Sequence, residues 1–188
     1  MEEIEMNNVK NASISVRDMT FTALFAAVLC AVAPFSIPIG PIPLSLATFI
    51  IYLAAGTLGW KYGVVSVALY VMIGAVGVPV FSGHQGGFHR IVGATGGYIV
   101  GYIPLALATG IAADVSKKTW VLALGMAVGT LLLYILGTAW FIFQTGRSLT
   151  ESLALCVTPF LPGDAGKIVA ACIIAPQLRA ATKALKRR

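Results

Sequence analysis

The sequence predicts an all-α integral membrane protein that crosses the bilayer six times. Hydrophobic residues make up 58% of the 188 residues and charged residues only 11%, whereas a soluble domain averages about 25% charged residues. The charged residues are separated by long apolar stretches, each able to hold a membrane helix of roughly 20 residues. The cationic residues, in addition, fall mainly on one predicted side of the membrane. At this length we expect residues 1–188 to form a single membrane domain.

Six spans are expected along the chain, after a polar segment of residues 1–18 at the inner membrane surface. The first span ends before Ile37-Pro-Ile-Gly-Pro-Ile-Pro43, because a stretch so rich in proline cannot continue a helix. Lys61-Tyr-Gly63 makes a tight turn between the second and third spans. The predicted spans are residues 20–36, 44–60, 64–79, 93–113, 120–145 and 163–178, with a short surface helix at 153–157.

The placement of lysine and arginine predicts the orientation of the spans. If the N-terminus is cytoplasmic, only Arg90 and Arg147 lie outside. Residues 179–188 then form a basic cytoplasmic tail, and an even number of spans brings both termini inside. The inner cationic residues are Lys10, Arg17, Lys61, Lys117, Lys118, Arg179, Lys183, Lys186, Arg187 and Arg188.

One charged pair, Asp164 and Lys167, is not explained by this topology. An ionisable residue in a span costs about 2.5–3.5 kcal/mol on insertion scales and is a functional hypothesis by default. The two residues share a helix face, and the aspartate lies at the positive end of the helix dipole. The pair is either a self-compensating ion pair that stabilises the outer end of the helix or a polar recognition site open to the outer face.

Two glycine-rich segments, Ser82-Gly-His-Gln-Gly-Gly87 and Gly93-Ala-Thr-Gly-Gly-Tyr98, flank the start of the fourth span. Glycines let the backbone approach a ligand closely or form tight turns around a re-entrant segment. On the predicted topology these segments, the proline loop and Asp164 lie on one face of the membrane. Their convergence favours a binding site there, because irregular backbone at membrane depth must be buried or line a cavity.

Other function classes have weaker support in the sequence. Nucleic-acid binding is not expected, because no aromatic residues alternate with the basic ones. Cys30, Cys156 and Cys172 have no metal-ligand spacing and are interpreted as packing residues. Ser82 and His84 suggest an intramembrane hydrolase only if a histidine lies on a facing span, and no predicted span contains one. No ATP-binding motif is present, and a membrane protein without any ligand is the plainest alternative.

Five segments point to a known family when they are taken together and in order. They are Gly40-Pro-Ile-Pro43, Gly77-Val-Pro-Val80 leading to Gly86-Gly87, Gly93-Ala-Thr-Gly-Gly-Tyr98, Trp140 with Gln144, and Phe160-Leu-Pro-Gly-Asp-Ala-Gly-Lys167. Over nearly its whole length, the chain resembles the BioY family, the biotin-binding S components of energy-coupling factor (ECF) transporters.

The resemblance implies an ECF S-component fold of six helices, in the cytoplasmic membrane of a prokaryote, that captures biotin from outside with high affinity. Its implied partners are a transmembrane coupling subunit and two cytoplasmic ATPase subunits. Biotin is the transported ligand, no cofactor or metal is expected, and the chain is not an enzyme. An S component for a different vitamin is the alternative within transport.

The resemblance also implies roles for particular residues. The ligand aspartate and lysine of the family fall on Asp164 and Lys167, and its polar amide after the third span falls on Gln85. The alanine ladder of the first span, with Ala23 and Ala27, is similar to the surface for the coupling subunit. Small residues spaced four apart let another helix approach closely, although internal packing explains them equally well.

The chemistry of biotin fits these residues. Its ureido ring has N–H donors for the Asp164 carboxylate and a carbonyl acceptor for Gln85 and Lys167, and such charge-assisted bonds are the stronger class. The rings of Tyr98 and Trp140 are expected to pack on the bicycle.

The glycine loop, with Gly86 and Gly87, is expected to contact the ligand. For the tail carboxylate, the backbone N–H groups of this loop, Lys167 and Arg90 all remain candidates.

Two positions depart from the family pattern. Ala94 stands where the family usually has proline, which is expected to alter only a turn. Ala47 stands where the family often has glutamine, which removes one candidate hydrogen bond to the ligand.

Overall fold

The structure is a computed structural model that describes residues 15–38 and 42–186. Most of the predicted N-terminal segment, Gly40 and Pro41 of the proline motif, and Arg187 and Arg188 of the basic tail lie outside the described residues. The helices are α1 (Val16–Val32), α2 (Ala47–Ala75), α3 (Phe88–Val92), α4 (Gly96–Val115), α5 (Thr119–Thr145), α6 (Leu149–Cys156) and α7 (Leu161–Lys186). The strands are β1 (Ser36–Pro38) and β2 (Pro43–Ser45).

A sharp break at Gly59 divides helix α2 into two halves. Gly59 has φ 83° and ψ −178°, a backbone conformation that favours glycine. A Cβ on Gly63 would lie 2.6 Å from the Cα of Ala55. Residues eight apart in a straight helix are separated by about 12 Å, so the two halves turn back on one another. The predicted second and third spans therefore lie in α2, and the turn falls at Gly59 rather than at residues 61–63.

The described residues form an all-helical membrane protein. Four of their helices are long and apolar enough to cross a membrane: α2, α4, α5 and the stretch Leu161–Leu185 of α7. Large apolar side chains are exposed along these helices, as expected for surfaces that face lipid. Examples are Val65, Val100, Leu124, Leu131, Ile135, Val169 and Ile173.

Close contacts of small residues hold α4 and α5 together. A Cβ on Gly101 would lie 2.8 Å from Leu133 Cδ1, and one on Gly129 would lie 2.9 Å from Leu105 Cδ1. Glycines at such positions let helices approach closely, which drives association where lipid removes the hydrophobic effect. Large side chains then fill the interior between the helices, among them Leu29, Ile51, Tyr52, Tyr70, Met126 and Phe141.

The segment that follows α1 forms a small antiparallel hairpin, where the sequence predicted only a break. Ser36 pairs with Ser45 and Ile37 pairs with Leu44. Helix α1 accordingly ends at Val32 instead of residue 36. The predicted surface helix corresponds to α6, and α3 forms within the predicted glycine-rich loop.

Candidate functional site

The predicted pair Asp164 and Lys167 lies in the first turns of α7 and forms a buried ion pair. Lys167 Nζ lies 2.9 Å from Asp164 Oδ1, and the two side chains are only 12% and 7% exposed. The Asp164 backbone N–H donates to the Phe160 carbonyl at 2.8 Å, which fixes the carboxylate at the helix entrance. A carboxylate and an ammonium buried at this depth need further hydrogen bonds to offset their desolvation.

Three other elements supply those hydrogen bonds. Tyr134 of α5 donates from its hydroxyl to Asp164 Oδ2 at 2.6 Å. Thr48, in the first turn of α2, donates to Asp164 Oδ1 at 3.3 Å and accepts from Lys167 Nζ at 3.1 Å. Lys167 Nζ also donates to the carbonyl of Ser45 in the hairpin at 2.8 Å. The ion pair thus joins α2, α5, α7 and the hairpin at one end of the bundle.

A stripe of polar residues on α5 organises this part of the interior. Thr130, Tyr134 and Thr138 are four apart and therefore share one helix face. Thr130 pairs with the Tyr52 hydroxyl at 2.6 Å and Thr138 with the Tyr98 hydroxyl at 3.2 Å. Each residue of the stripe thus bonds a different helix, and Tyr134 bonds the ion pair.

The ion pair lines a narrow cavity, and a wide cavity shares a wall with the narrow one. The narrow cavity, of about 50 Å³, is lined by Asp164, Lys167 and Thr48 among others, and has room for only a few waters. The wide cavity, of about 430 Å³, falls in the size range of sites for small ligands. The two cavities share the wall residues Ile42, Pro43, Tyr98 and Tyr102. A ligand in the wide cavity is therefore separated from the ion pair only by this wall.

Gln85 and Arg90 line the wide cavity, so the structure does not bring Gln85 into the same cavity as Lys167. The backbone of Gln85 forms a β-bridge with that of Phe81. This bridge fixes the backbone from which the Gln85 side chain lines the cavity. The Nε atom of Arg90 is buried without a hydrogen-bond partner, and no carboxylate of the described residues lies within ion-pair distance of its side chain. Arg90 is thus an uncompensated positive charge at the wide cavity.

Three of the predicted site residues are held by contacts within the protein. A Cβ on Gly86 would lie 2.2 Å from the carbonyl oxygen of Val78, so this glycine packs against the end of the preceding segment. Gly87 donates its backbone N–H to the Gly74 carbonyl at 2.7 Å. Trp140 donates from Nε1 to the Gly93 carbonyl at 2.9 Å. None of the three lines either cavity, and their contacts hold the glycine-rich loop in place.

Tyr98 lines both cavities, as the wall between them. Its hydroxyl also contacts the carbonyl of Cys156 at 3.2 Å. Burial raises the pKa of the Cys156 thiol, which keeps this residue of the narrow cavity uncharged.

The positions that depart from the family pattern, and those predicted for partner binding, also have clear locations. Ala47 is fully buried, and its backbone N–H donates to Ser45 Oγ at 3.1 Å. Its neighbour Thr48 supplies a polar group at this point instead. Ala94 packs against the core. Ala23 and Ala27 are exposed on α1, where another helix has access to them.

Sequence reasoning missed Thr48, Tyr134 and the Ser45 carbonyl. Thr48 and Tyr134 are polar residues within apolar spans, and Tyr134 belongs to a series of polar residues four apart. That spacing is a signal visible in the sequence. The Ser45 carbonyl carries no such signal, because a backbone acceptor is defined only by the fold.

The fold and the site define an all-helical membrane protein that places a buried ion pair beside a cavity of small-molecule size. This is the class of membrane proteins that bind a small polar solute. The profile of the BioY family matches residues 6–184. The chain belongs to the BioY family.

Individual relatives agree with this assignment. The biotin transporter BioY of Thermotoga maritima is 37% identical over 165 residues, which cover 87% of this chain and 96% of that protein. The probable biotin transporter BioY of Pyrococcus horikoshii is 37% identical over 169 residues, 90% of this chain and 100% of that protein. A crystal structure of the S-component for biotin from an ECF-type ABC transporter is 27% identical, with a TM-score of 0.82, and covers 89% of this chain and 95% of that chain.

Proposed function

We propose that this chain is the biotin-binding S component of an ECF-type uptake transporter and captures biotin from the outer face of the membrane. The names of its relatives support the ligand and the transport role. The observation that carries the proposal is the buried Asp164–Lys167 pair beside the wide cavity. The chain has no catalytic activity of its own in this proposal, and biotin is its transported ligand rather than a cofactor.

The proposed topology has six crossings with both termini in the cytoplasm of a prokaryotic cell. Helices α1, α4, α5, α7 and the two halves of α2 supply six helical segments. Arg90 adjoins the ion-pair end, whereas Lys117, Lys118 and Arg179 lie at the opposite end. The excess of cations at that opposite end favours its placement inside.

The proposed partners are a transmembrane coupling subunit and two cytoplasmic ATPase subunits. A chain without an ATP-binding motif needs another source of energy for transport, which such subunits supply. Ala23 and Ala27 lie exposed on one face of α1, and small residues four apart suit close approach by a helix of the coupling subunit.

The ion pair is proposed to recognise the ureido ring of biotin. A ring N–H donates to the Asp164 carboxylate, and Lys167 donates to the ring carbonyl. The bicycle, which is too large for the narrow cavity, is proposed to lie in the wide cavity against Tyr98, and its ureido edge reaches the ion pair when the wall that the two cavities share shifts. Gln85 lines the wide cavity but not the narrow one, and is proposed to contact the ligand farther from the ring.

Arg90 is proposed to bind the tail carboxylate. Lys167 is already compensated by Asp164 at 2.9 Å, whereas no carboxylate of the described residues compensates Arg90. A charge-assisted bond from a guanidinium to a carboxylate is strong and directional. Of the three candidates for this role, Arg90 is therefore favoured over Lys167 and the loop N–H groups.

The alternatives have less support. An intramembrane hydrolase needs a serine activated by a histidine, whereas the ring of His84 packs edge-on against Phe35. An S component for another vitamin is tested by competition of labelled biotin with thiamine and riboflavin. Displacement by either vitamin at concentrations comparable to unlabelled biotin would favour that alternative.

The direct test is titration calorimetry of biotin with the detergent-purified protein. Asp164→Asn and Lys167→Ala each remove a charged hydrogen-bond partner proposed for the ureido ring, and a hydrogen bond to a charged group is worth about 1.5–3 kcal/mol. We expect biotin affinity to fall about 10- to 100-fold in both variants. Glu151→Gln, on the exposed surface of α6, removes a carboxylate elsewhere and serves as the matched control. Unchanged affinity in both site variants would refute the assignment of the site.

The role of Arg90 is tested by changing the ligand and the protein together. Arg90→Gln is expected to weaken biotin binding about tenfold or more, because a charge-assisted bond is lost. Biotin amide, which lacks the tail charge, should bind the two proteins with similar affinity. If Arg90→Gln weakens both ligands equally, another group holds the carboxylate.

A further inference from the structure

A second cavity lies at the end of the bundle opposite the ion pair. It has a volume of about 320 Å³ and lies between the α4–α5 turn, the last turns of α7 and the first half of α2. The proposed function assigns no role to it. Its charged lining residues are Lys117, Lys118, Arg179 and Lys183.

The rim of this basic cavity is positively charged. Four cationic residues line it and none of its lining residues is acidic. Arg179 is compensated by Asp114, which lies beside the cavity, but the lysines Lys117 and Lys118 extend exposed from the turn. A topology anchor requires only cations in a loop, and it does not require that they surround a cavity. The arrangement therefore indicates a site for an anionic group.

The floor of the basic cavity is apolar. Ala113 and Leu122 are buried there, and Pro176 contributes a further apolar surface. A free inorganic anion gains little from apolar surface, whereas a group attached to a hydrocarbon gains from both the rim and the floor. The shape of the lining thus suits an amphiphile with an anionic head.

The position of the basic cavity along the bundle matches the level expected for the membrane–water interface. Trp120, two residues after Lys118, is 65% exposed, and Trp60, beside the break in α2, is 49% exposed. Exposed tryptophans mark the level of the lipid headgroups. Both lie at the end of the bundle that carries the cavity, which places its rim among the headgroups rather than in bulk water.

We propose that the basic cavity binds the phosphate headgroup of an anionic phospholipid. The lysines of the rim contact the phosphate, and the glycerol end of the lipid packs on Leu122 and Pro176. Basic pockets between spans on the cytoplasmic side bind anionic headgroups in this way. The inference uses the cytoplasmic orientation given under Proposed function but does not depend on the identity of the transported ligand.

The test is native mass spectrometry of the full chain released from detergent micelles, with added phosphatidylglycerol or phosphatidylcholine. We expect retention of phosphatidylglycerol in preference to phosphatidylcholine. The double variant Lys117→Gln/Lys118→Gln should lower retention of phosphatidylglycerol about tenfold or more. The double variant Lys61→Gln/Arg147→Gln, which removes two charges outside the cavity, should retain it like the parent chain.

Competition with two other anionic ligands shows which kind of anionic molecule the cavity binds. Inorganic phosphate at millimolar concentration should not displace phosphatidylglycerol, and a short acidic peptide should not either. Displacement by phosphate would show a simple anion site, and displacement by the peptide would show a protein-docking site, so that either result would overturn the lipid assignment. Equal retention of the two lipids would also overturn it.

Biotin titration of the same preparations keeps this inference separate from the proposed function. The Lys117→Gln/Lys118→Gln variant should bind biotin like the parent chain, because its residues lie at the other end of the bundle. Loss of lipid retention with intact biotin binding supports the lipid site, whereas loss of both would indicate general misfolding and overturn the specific role of the lysines.

Discussion

Helix α7 carries an ion pair at each end, and the two pairs are built differently. Asp164 and Lys167 are both on α7, and their side chains are 7% and 12% exposed. Asp114 and Arg179 connect α4 with α7 at 2.5 Å, and their side chains are 37% and 20% exposed. The first pair is buried within one helix, and the second is partly exposed between two helices.

The partners of the two pairs differ in the same way. The Asp164–Lys167 pair is surrounded mainly by hydroxyl groups and lines the narrow cavity. The Asp114–Arg179 pair bonds backbone groups: Asp114 accepts from the Trp60 N–H at 3.0 Å, and Arg179 donates to the Ala113 carbonyl at 2.8 Å. Side-chain hydroxyls can rotate and exchange a hydrogen bond to the protein for one to a ligand. Backbone groups at helix ends are held in position by the helix and cannot do so. The first pair therefore suits recognition and the second suits fixation of the helix ends.

The largest effect on stability is expected from Gly59→Ala, at the fixed end. Gly59 has φ 83°, and a Cβ there would lie 2.5 Å from Asp114 Oδ2. With ψ −178°, this is a positive-φ extended conformation that essentially only glycine adopts and that costs about 1–3 kcal/mol for alanine, and the contact with Asp114 adds to it. We expect the midpoint of thermal unfolding in detergent to fall by about 5 °C or more.

The control for this change is Gly166→Ala, at a helical glycine of α7 with no atom near the added Cβ. Alanine is the better helix former, so this variant should be as stable as the parent chain or slightly more stable. Biotin affinity of Gly59→Ala should stay unchanged once the protein is folded. A fall in affinity without a fall in the unfolding midpoint would contradict the separation of the two ends.

A smaller effect, on affinity, is expected from Tyr134→Phe at the recognition end. The change keeps the ring and removes the hydroxyl that donates to Asp164 Oδ2. This hydroxyl holds the Asp164 carboxylate in place, and a hydrogen bond to a charged group is worth about 1.5–3 kcal/mol; with the carboxylate less well positioned, biotin affinity should fall about tenfold in titration calorimetry.

Tyr52→Phe is the matched control for the loss of a buried hydroxyl. The Tyr52 hydroxyl pairs with Thr130 at 2.6 Å and not with the ion pair. This variant should lose stability but keep its biotin affinity. If the two variants lower the affinity for biotin equally, the polar stripe of α5 supports binding as a whole and not through Tyr134 alone.

The two ends also differ in how well the sequence predicts them. Asp164 and Lys167 stand out because a charged pair interrupts an apolar region, and local spacing alone places them on one helix face. Sequence reasoning did not predict the Asp114–Arg179 pair, because each residue lies in a basic or charged segment whose charge the topology already explains. Sixty-five positions separate the two residues along the chain, and only the packing of α4 against α7 brings them together.

The same limit applies to the elements around the site. Apolar stretches predicted the positions of α4 and α5 well, because a membrane helix is defined by its own composition. The β1–β2 hairpin was predicted only as a break, since its pairing depends on both strands and on the helix ends below them. Trp140 was expected to contact the ligand, but its indole N–H donates to the Gly93 carbonyl. The aromatic character of a residue does not by itself determine which group its side chain contacts.

The smallest effect is expected from Asp114→Asn, and salt dependence is its signature. Asparagine keeps an oxygen for the Trp60 N–H but loses the charge that faces Arg179. Because the pair is partly exposed, the loss should be about 0.5–1 kcal/mol, measured as a shift of 1–3 °C, roughly, in the unfolding midpoint at low salt. The shift should shrink when salt rises from about 0.05 M to 0.5 M, since exposed charges are screened.

The effect of changing the buried pair should hardly depend on salt. The loss of biotin affinity in Asp164→Asn should be nearly the same at both salt concentrations, because water and ions have little access to a pair that is about one-tenth exposed. Glu151→Gln, at an exposed carboxylate without an ion-pair partner among the described residues, should show neither effect. If salt abolishes the effect of Asp164→Asn, the site is open to solvent, and binding rests on long-range attraction rather than on direct contact with the carboxylate.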